Sequence, residues 1–325
     1  MRTISPRRAA SPAPRRRTAA VGVAAVACLA VSVAACSSSG SSTASSSSSA
    51  NPLAPKATGA VVVGSANFPE DELLAQIYVD ALQGKGVKVT PKFNIGAREV
   101  YYPEIEKGAV TIIPEYNGAL LTTSVDPTST AASTEEVNAA LKAKLPSSLE
   151  ILNSSSAQDK DSITVTQATA TKDHLTSISD LSPYAKDFII GGPPEFKTRA
   201  DGLIGLQKIY GLTFKSFSPL DESGPITIAA LSSGKVQAAD VFTTTPQIIT
   251  DHFVSLSDPK NMFAAQNITP LVYKSGVNST IVSTLNAVSA ALTTNALLQM
   301  NKALTINHAS YTAVASGFLS QEGLK

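Results

Sequence analysis

The sequence predicts an α/β protein of two lobes joined by two strands, and three observations carry that reading. Short apolar runs suited to buried strands alternate with stretches whose apolar residues recur at helical spacing. The loops after those runs are dense in hydrogen-bonding and aromatic residues, and open α/β sheets bind ligands in such loops, beyond the carboxyl ends of strands. These loops come from both halves of a 325-residue chain, which at 43% hydrophobic and 16% charged content can bury the cores of two domains.

The front end is of a different kind. The first eighteen residues hold six arginines (Arg2, Arg7, Arg8, Arg15, Arg16, Arg17) and no acid, and Ala19–Ala35 is an apolar run. Together they form the basic and apolar regions of a signal peptide over residues 1–35. The run ends in Val33-Ala34-Ala35-Cys36 before serine, which resembles the lipobox at which bacterial lipoproteins are cleaved and acylated, here on Cys36. A transmembrane anchor is the other reading, and a run this short, built of small side chains, is marginal for one. Residues 36–58, rich in serine and ending near Asn51-Pro52-Leu53-Ala54-Pro55, cannot bury enough surface to order themselves. As a flexible tether they would reach roughly 25 Å on average, placing the folded part on the extracytoplasmic face of the cell membrane.

Cleavage would remove those six arginines and change the formal charge from +1 to −5, which disfavours a nucleic-acid partner. The two cysteines are Cys28 and Cys36, so the mature domain would contain no disulfide and no cysteine metal site.

Taken in order, Val61-Val62-Val63 opens the domain as a strand, with the loop Gly64–Glu70 at its end. Leu73, Leu74, Ile77, Tyr78, Ala81 and Leu82 share one helix face, and Val87–Thr90 alternates as the next strand, implying a right-handed parallel crossover. Asn94–Glu99 leads into a helix that Gly108 ends. Thr111-Ile112-Ile113 is the third strand, followed by Pro114-Glu115-Tyr116-Asn117-Gly118. A helix over Glu135–Leu145 and a strand over Leu149–Leu152 come next. Ser162–Thr166, after Asp159-Lys160-Asp161, reads as the first crossing between lobes.

The second lobe then runs through Leu175–Leu181 to Phe188-Ile189-Ile190, a strand that Gly191-Gly192-Pro193-Pro194 ends because proline donates no ladder hydrogen bond. Leu203, Leu206, Ile209 and Tyr210 mark a helix stopped by Gly211, and the intervening Glu195–Asp201 holds more polar groups than a connection needs. Phe214–Phe217, a helix over Ile226–Ser233 and a strand over Val236–Asp240 follow. The chain returns through Asn261–Val272 to two helices marked by Ile281, Leu285, Val288, Leu292 and by Leu297, Met300, Leu304. Lobe one is thus 59–163 with 268–325, and lobe two is 164–267.

Several of these segments resemble one family. Glu195-Phe196, then Arg199, Asp201-Gly202 and Gly205-Leu206-Gln207-Lys208-Ile209-Tyr210-Gly211, closely resemble the glycine betaine/choline-type substrate-binding proteins of ABC importers. Pro114-Glu115-Tyr116-Asn117-Gly118 is similar to that family's PEYTG segment, whose tyrosine contributes to the ligand pocket. Asp240-Val241-Phe242-Thr243-Thr244-Thr245 resembles its DAF(S/T)T(D/T) segment, with Val241 where alanine is usual. The chain departs at Ala264–Val272: many members carry a PYYAAPVV-like segment whose tyrosine helps cage a quaternary ammonium, and here Gln266 and Asn267 stand instead.

The resemblance implies a type II periplasmic-binding-protein-like fold with two hinge strands between its lobes, monomeric, with an ABC permease and ATPase as partners. The implied ligand is a small quaternary amine or related zwitterion, or, given the open cage wall, another small polar or aromatic compound. A ligand-sensing or scaffold lipoprotein of the same fold is the alternative.

No catalytic constellation is present. There is no Gly-x-Ser-x-Gly elbow and no phosphate-binding loop, and His174, His252 and His308 lie far apart, so neither an enzyme nor a metal site nor a cofactor is expected. The expected ligand contacts are Asn67, Phe68, Arg98, Tyr116, Asn117, Asp159, Lys160, Glu195, Phe196, Arg199, Thr243, Thr244, Gln266 and Asn267. Arg199 is assigned to an anionic end of the ligand, and Tyr116 with Phe68 or Phe196 to a cationic end.

Overall fold

Alternating apolar runs and helical stripes sort into two five-stranded sheets in the computed structural model, which describes residues 60–325. The leader, Cys36 and the serine-rich segment lie outside the described residues. The first sheet has the order β2-β1-β3-β10-β4, with β1 Val61–Gly64, β2 Val89–Lys92, β3 Ile112–Tyr116, β4 Leu149–Ile151 and β10 Ile268–Tyr273. The second has the order β7-β6-β8-β5-β9, with β5 Ile163–Thr166, β6 Ile189–Gly192, β7 Ser216–Pro219, β8 Ala238–Asp240 and β9 Phe253–Ser255. β1 pairs in parallel with β2 and β3, and β6 with β7 and β8. Pro91 and Pro219 fall on the edge strands β2 and β7, where a missing donor costs no ladder bond.

The helices are α1 Pro69–Gly84, α2 Arg98–Glu106, α3 Asn117–Leu120, α4 Thr134–Lys144, α5 Gln167–Asp173, α6 Leu203–Tyr210, α7 Pro225–Ser232, α8 Gln247–Thr250, α9 Ser279–Ala291, α10 Thr294–Thr305 and α11 Tyr311–Gln321. Side-chain oxygens of Ser133, Thr166, Asn278, Thr293 and Ser310 accept backbone N–H groups at the starts of α4, α5, α9, α10 and α11. Such caps satisfy donors that a helix start leaves free. His174, His252 and His308 are exposed residues with positive φ.

In the second sheet the period-2 alternation sends neighbours to opposite faces. Ala238 joins Ile163, Ile190 and Leu206 on one side, whereas Ala239 joins Ile228, Leu231 and Phe253 on the other. A sheet covered on both faces explains strands without polar alternation. In lobe one, α11 packs on α1 through buried Ala315, Phe318 and Leu319. The sequence reading had stopped short of this helix, which Gly317 and three serines or threonines make weakly patterned.

Two segments cross between the lobes; the returning one lies near Asn267 as expected, and the outgoing one precedes the strand expected to cross. Ile163–Thr166 lies wholly within the second sheet, paired with β8 and β9. The crossing is the extended stretch before it, where Ser155 N–H donates to Ile268 O (2.9 Å) and Asp159 N–H to Gln266 O (3.1 Å). The outgoing and returning chains therefore run antiparallel through the hinge, bridged again at Gln158 and Asn267.

Candidate functional site

The lobes touch at three polar points around the hinge. Arg199 of lobe two donates from Nε and Nη2 to Glu99 of lobe one, each at 3.0 Å. Thr122 Oγ1 donates to Asp201 (2.9 Å), and Thr244 Oγ1 to Glu70 (2.6 Å). Between them lies a cavity of about 40 Å³, lined by Phe68, Arg98, Tyr101 and Tyr116 from lobe one, Arg199, Glu222 and Phe242 from lobe two, and Asp159, Asp161 and Gln266 from the hinge. That volume holds about three waters, so the space is fit for a compact group.

Aromatic rings form one wall. Phe68 ends the loop after β1, Tyr116 ends β3 and Phe242 follows β8. Phe68 lies 5.8 Å from Tyr116 and 5.3 Å, edge to face, from Phe242, measured between ring centroids. The Tyr116 hydroxyl donates to Glu70 (2.7 Å), whose other oxygen accepts from Thr244 and Asn301. Glu70 has no basic partner among the described residues; it sits in the first turn of α1, where the helix dipole favours a negative charge. Burial pushes the Glu70 carboxyl up, against those hydrogen bonds. Burial and the neighbouring Glu70 push Asp159 well up too.

The guanidinium groups are already engaged. Arg98 donates from Nε and Nη2 to Glu115 at 2.9–3.2 Å, and Tyr101 OH adds a further hydrogen bond at 2.8 Å. Arg199 is held by Glu99, with Glu195 4.0 Å away, and its Nη1 makes no hydrogen bond among the described residues. Burial and the adjacent Glu195 carboxyl push Glu222 up to about 8. Beside two paired cations the cavity wall presents three carboxyl groups, those of Asp159, Asp161 and Glu222. Burial holds Asp159 and Glu222 toward their protonated forms, and a cationic group in the cavity would favour their ionised ones.

Of the residues expected to bind, Phe68, Arg98, Tyr116, Asp159, Arg199 and Gln266 line the cavity. Thr244 is one step behind, on Glu70. The others have different places. Phe196 is 2% exposed, packed in the lobe-two core against Phe217, because the turn after β6 folds it inward. Asn67 is exposed, pointing off the loop tip. Asn117 and Asn267 hold α3 to the hinge: Asn117 Oδ1 accepts from Asn267 N (2.7 Å), and Asn267 reaches Thr134 and Ser155. Thr243 is exposed and accepts from Lys160 N (2.8 Å), so both tie the loop after β8 to the hinge. Glu195 is half-buried beside Arg199 and Glu222.

Sequence reasoning missed Tyr101, Asp161, Glu222 and Phe242. Phe242 stood inside a quoted motif, immediately before the two threonines chosen; Glu222 lies in a loop without any pattern. Two motif glycines owe their place to close approach. A Cβ on Gly118 would lie 2.4 Å from Ala265 O at the hinge, and one on Gly202 1.9 Å from Phe196 O.

The family model for the substrate-binding domain of ABC-type glycine betaine transport systems matches residues 59–321. The glycine betaine-binding protein YehZ of Escherichia coli (strain K12) is 28% identical over 281 residues, spanning 82% of this chain and 92% of that protein. The apo structure of YehZ matches with a TM-score of 0.56 over 82% of this chain and 99% of its own. The ergothioneine transport permease/ergothioneine-binding protein EgtU of Helicobacter pylori (strain G27) is 23% identical over 268 residues, 81% of this chain but 48% of that protein. A crystal structure of a glycine betaine/carnitine/choline ABC transporter protein shares the fold, with a TM-score of 0.63 at 20% identity over 81% of this chain and 99% of its own. The two sheets and these matches make the fold a type II periplasmic-binding-protein-like one. The chain belongs to the family of substrate-binding domains of ABC-type glycine betaine transport systems.

Proposed function

We propose that the protein is a lipid-anchored receptor that captures a small quaternary amine or related zwitterion between its lobes and delivers it to an ABC permease with its ATPase. The observation that carries this reading is the convergence of Phe68, Tyr116 and Phe242 with Asp159 at one inter-lobe cavity. Aromatic faces attract a cation by about 0.5–2 kcal/mol each, and more when water is excluded. The buried Asp159 carboxyl beside them, held toward its protonated form, would ionise against a bound cation. Phe242 and Phe68 come from opposite lobes, so a cation between them favours the closed arrangement. Arg199 supplies the other end: its free Nη1 is a donor for a ligand carboxylate. The solutes in the names of YehZ and EgtU both carry a trimethylammonium and a carboxylate, which supports the same class here.

Calorimetric titration with glycine betaine and with choline tests the assignment. Losing one partner of a desolvated charge contact costs roughly 2–5 kcal/mol. Arg199→Ala should therefore weaken glycine betaine at least about thirtyfold, at roughly 1.4 kcal/mol per tenfold, and choline far less. Phe242→Ala should weaken both. Equal losses for the two ligands in Arg199→Ala would make Arg199 a lobe-closing residue, and no binding of either by the unaltered protein would refute the ligand class.

A further inference from the structure

A second and larger cavity adjoins the first on the far side of the Phe68–Phe242 pair. Its volume is about 410 Å³ against about 40 Å³ for the inner one, which puts the larger space alone within the usual range for small-molecule sites. Phe68, Asp159, Glu222 and Phe242 line both, so the two are compartments of one cleft. Both lobes build the outer compartment: Pro69 and Leu304 face it from lobe one, Pro225 and Ile228 from lobe two. Its wall is mostly apolar. Glu70, the buried carboxyl without a basic partner, lies at the junction.

A solute of a few heavy atoms in the inner cavity touches none of that apolar surface. It would leave the larger part of the cleft filled with water between two greasy walls, although burying those walls favours closure. We infer that the outer compartment is a subsite for the apolar body of the ligand, and that the preferred solute is an amphiphilic cation or zwitterion with a compact charged head joined to an aromatic or branched aliphatic group. The head lies against Phe68, Phe242 and Asp159, and the body extends past the two rings toward Leu304 and Ile228. The inference rests on the inner cavity being the head-group site proposed above.

The experiment compares glycine betaine with N,N,N-trimethylphenylalanine, which has the same ammonium and carboxylate and adds a benzyl group. Ala309→Trp and Thr305→Trp each fill the outer compartment from half-buried positions in separate turns of the chain, and either one suffices should the other fail to fold by thermal melting. The benzyl probe should bind the unaltered protein at least tenfold more tightly than glycine betaine, and a folded tryptophan variant should abolish that preference. Equal or weaker binding of the benzyl probe, with glycine betaine still bound, overturns the outer subsite and leaves the head-group reading intact. A preference that survives a folded tryptophan variant also overturns it. Failure of both probes to bind the unaltered protein overturns the two readings together.

Discussion

Arg98→Met isolates a buried charge whose surroundings set the size of the effect. The Arg98 side chain is 8% exposed and that of Glu115 0%. In the native protein Glu115 accepts from Arg98 at three contacts, from Tyr101 OH (2.8 Å) and from Tyr116 N (3.1 Å). Methionine keeps most of the volume but leaves the carboxylate with two neutral donors and no counter-charge. Breaking a buried pair in this way costs about 3–5 kcal/mol.

The expected loss is therefore about 3–5 kcal/mol at pH 7. Arg98→Met/Glu115→Gln should recover most of the loss, because the amide oxygen still accepts from Tyr101 and Tyr116 without a charge. Urea denaturation at pH 7 measures all three proteins. A loss under about 1 kcal/mol at pH 7, or a double variant no more stable than the single one, would refute the account of Arg98 as the counter-ion of Glu115.

Glu222 offers a pH signature. Burial and Glu195 raise it to about 8 in the folded protein, so between about pH 4.5 and 8 folding holds a proton that unfolding releases, and stability falls as pH rises. Glu222→Gln should flatten that decline and stabilise at pH 7 by at most about 3 kcal/mol; an unchanged slope in melting temperature against pH would count against it. Cys36→Ala should abolish fatty-acid labelling and leave an unlipidated precursor, because only an acylated cysteine supplies the two-chain anchor. Labelling that persists in the variant would end the lipoprotein reading.

Local chemistry made the elements legible before any contact was known. Leu203, Leu206 and Tyr210 lie on a buried or half-buried helix face that Gly211 stops with φ 72°, because helix periodicity and glycine's freedom operate within a few residues. The same holds for Val61–Val63 and Ile112-Ile113, whose apolar runs suit strands buried on both faces. Motifs placed Tyr116 and Arg199 at strand ends, and both reach the cavity.

The charge state of the site was decided elsewhere. Arg98 and Arg199 read as ligand contacts, Arg199 for an anionic end, yet their carboxylate partners are 17 and 100 residues away. Glu70 read as part of a loop, and its hydrogen-bond donors Tyr116, Thr244 and Asn301 are 46, 174 and 231 residues distant. Phe196 and Phe242 follow strands of the same sheet, and only the turn after each sends one ring into the core and the other into the cleft. Sequence alone thus determined the alternation of strands and helices and the family motifs, since both rest on neighbours along the chain. Which charges are already matched, which ring faces the ligand and how much room lies between the lobes depend on contacts between distant segments, and only the tertiary structure decides those.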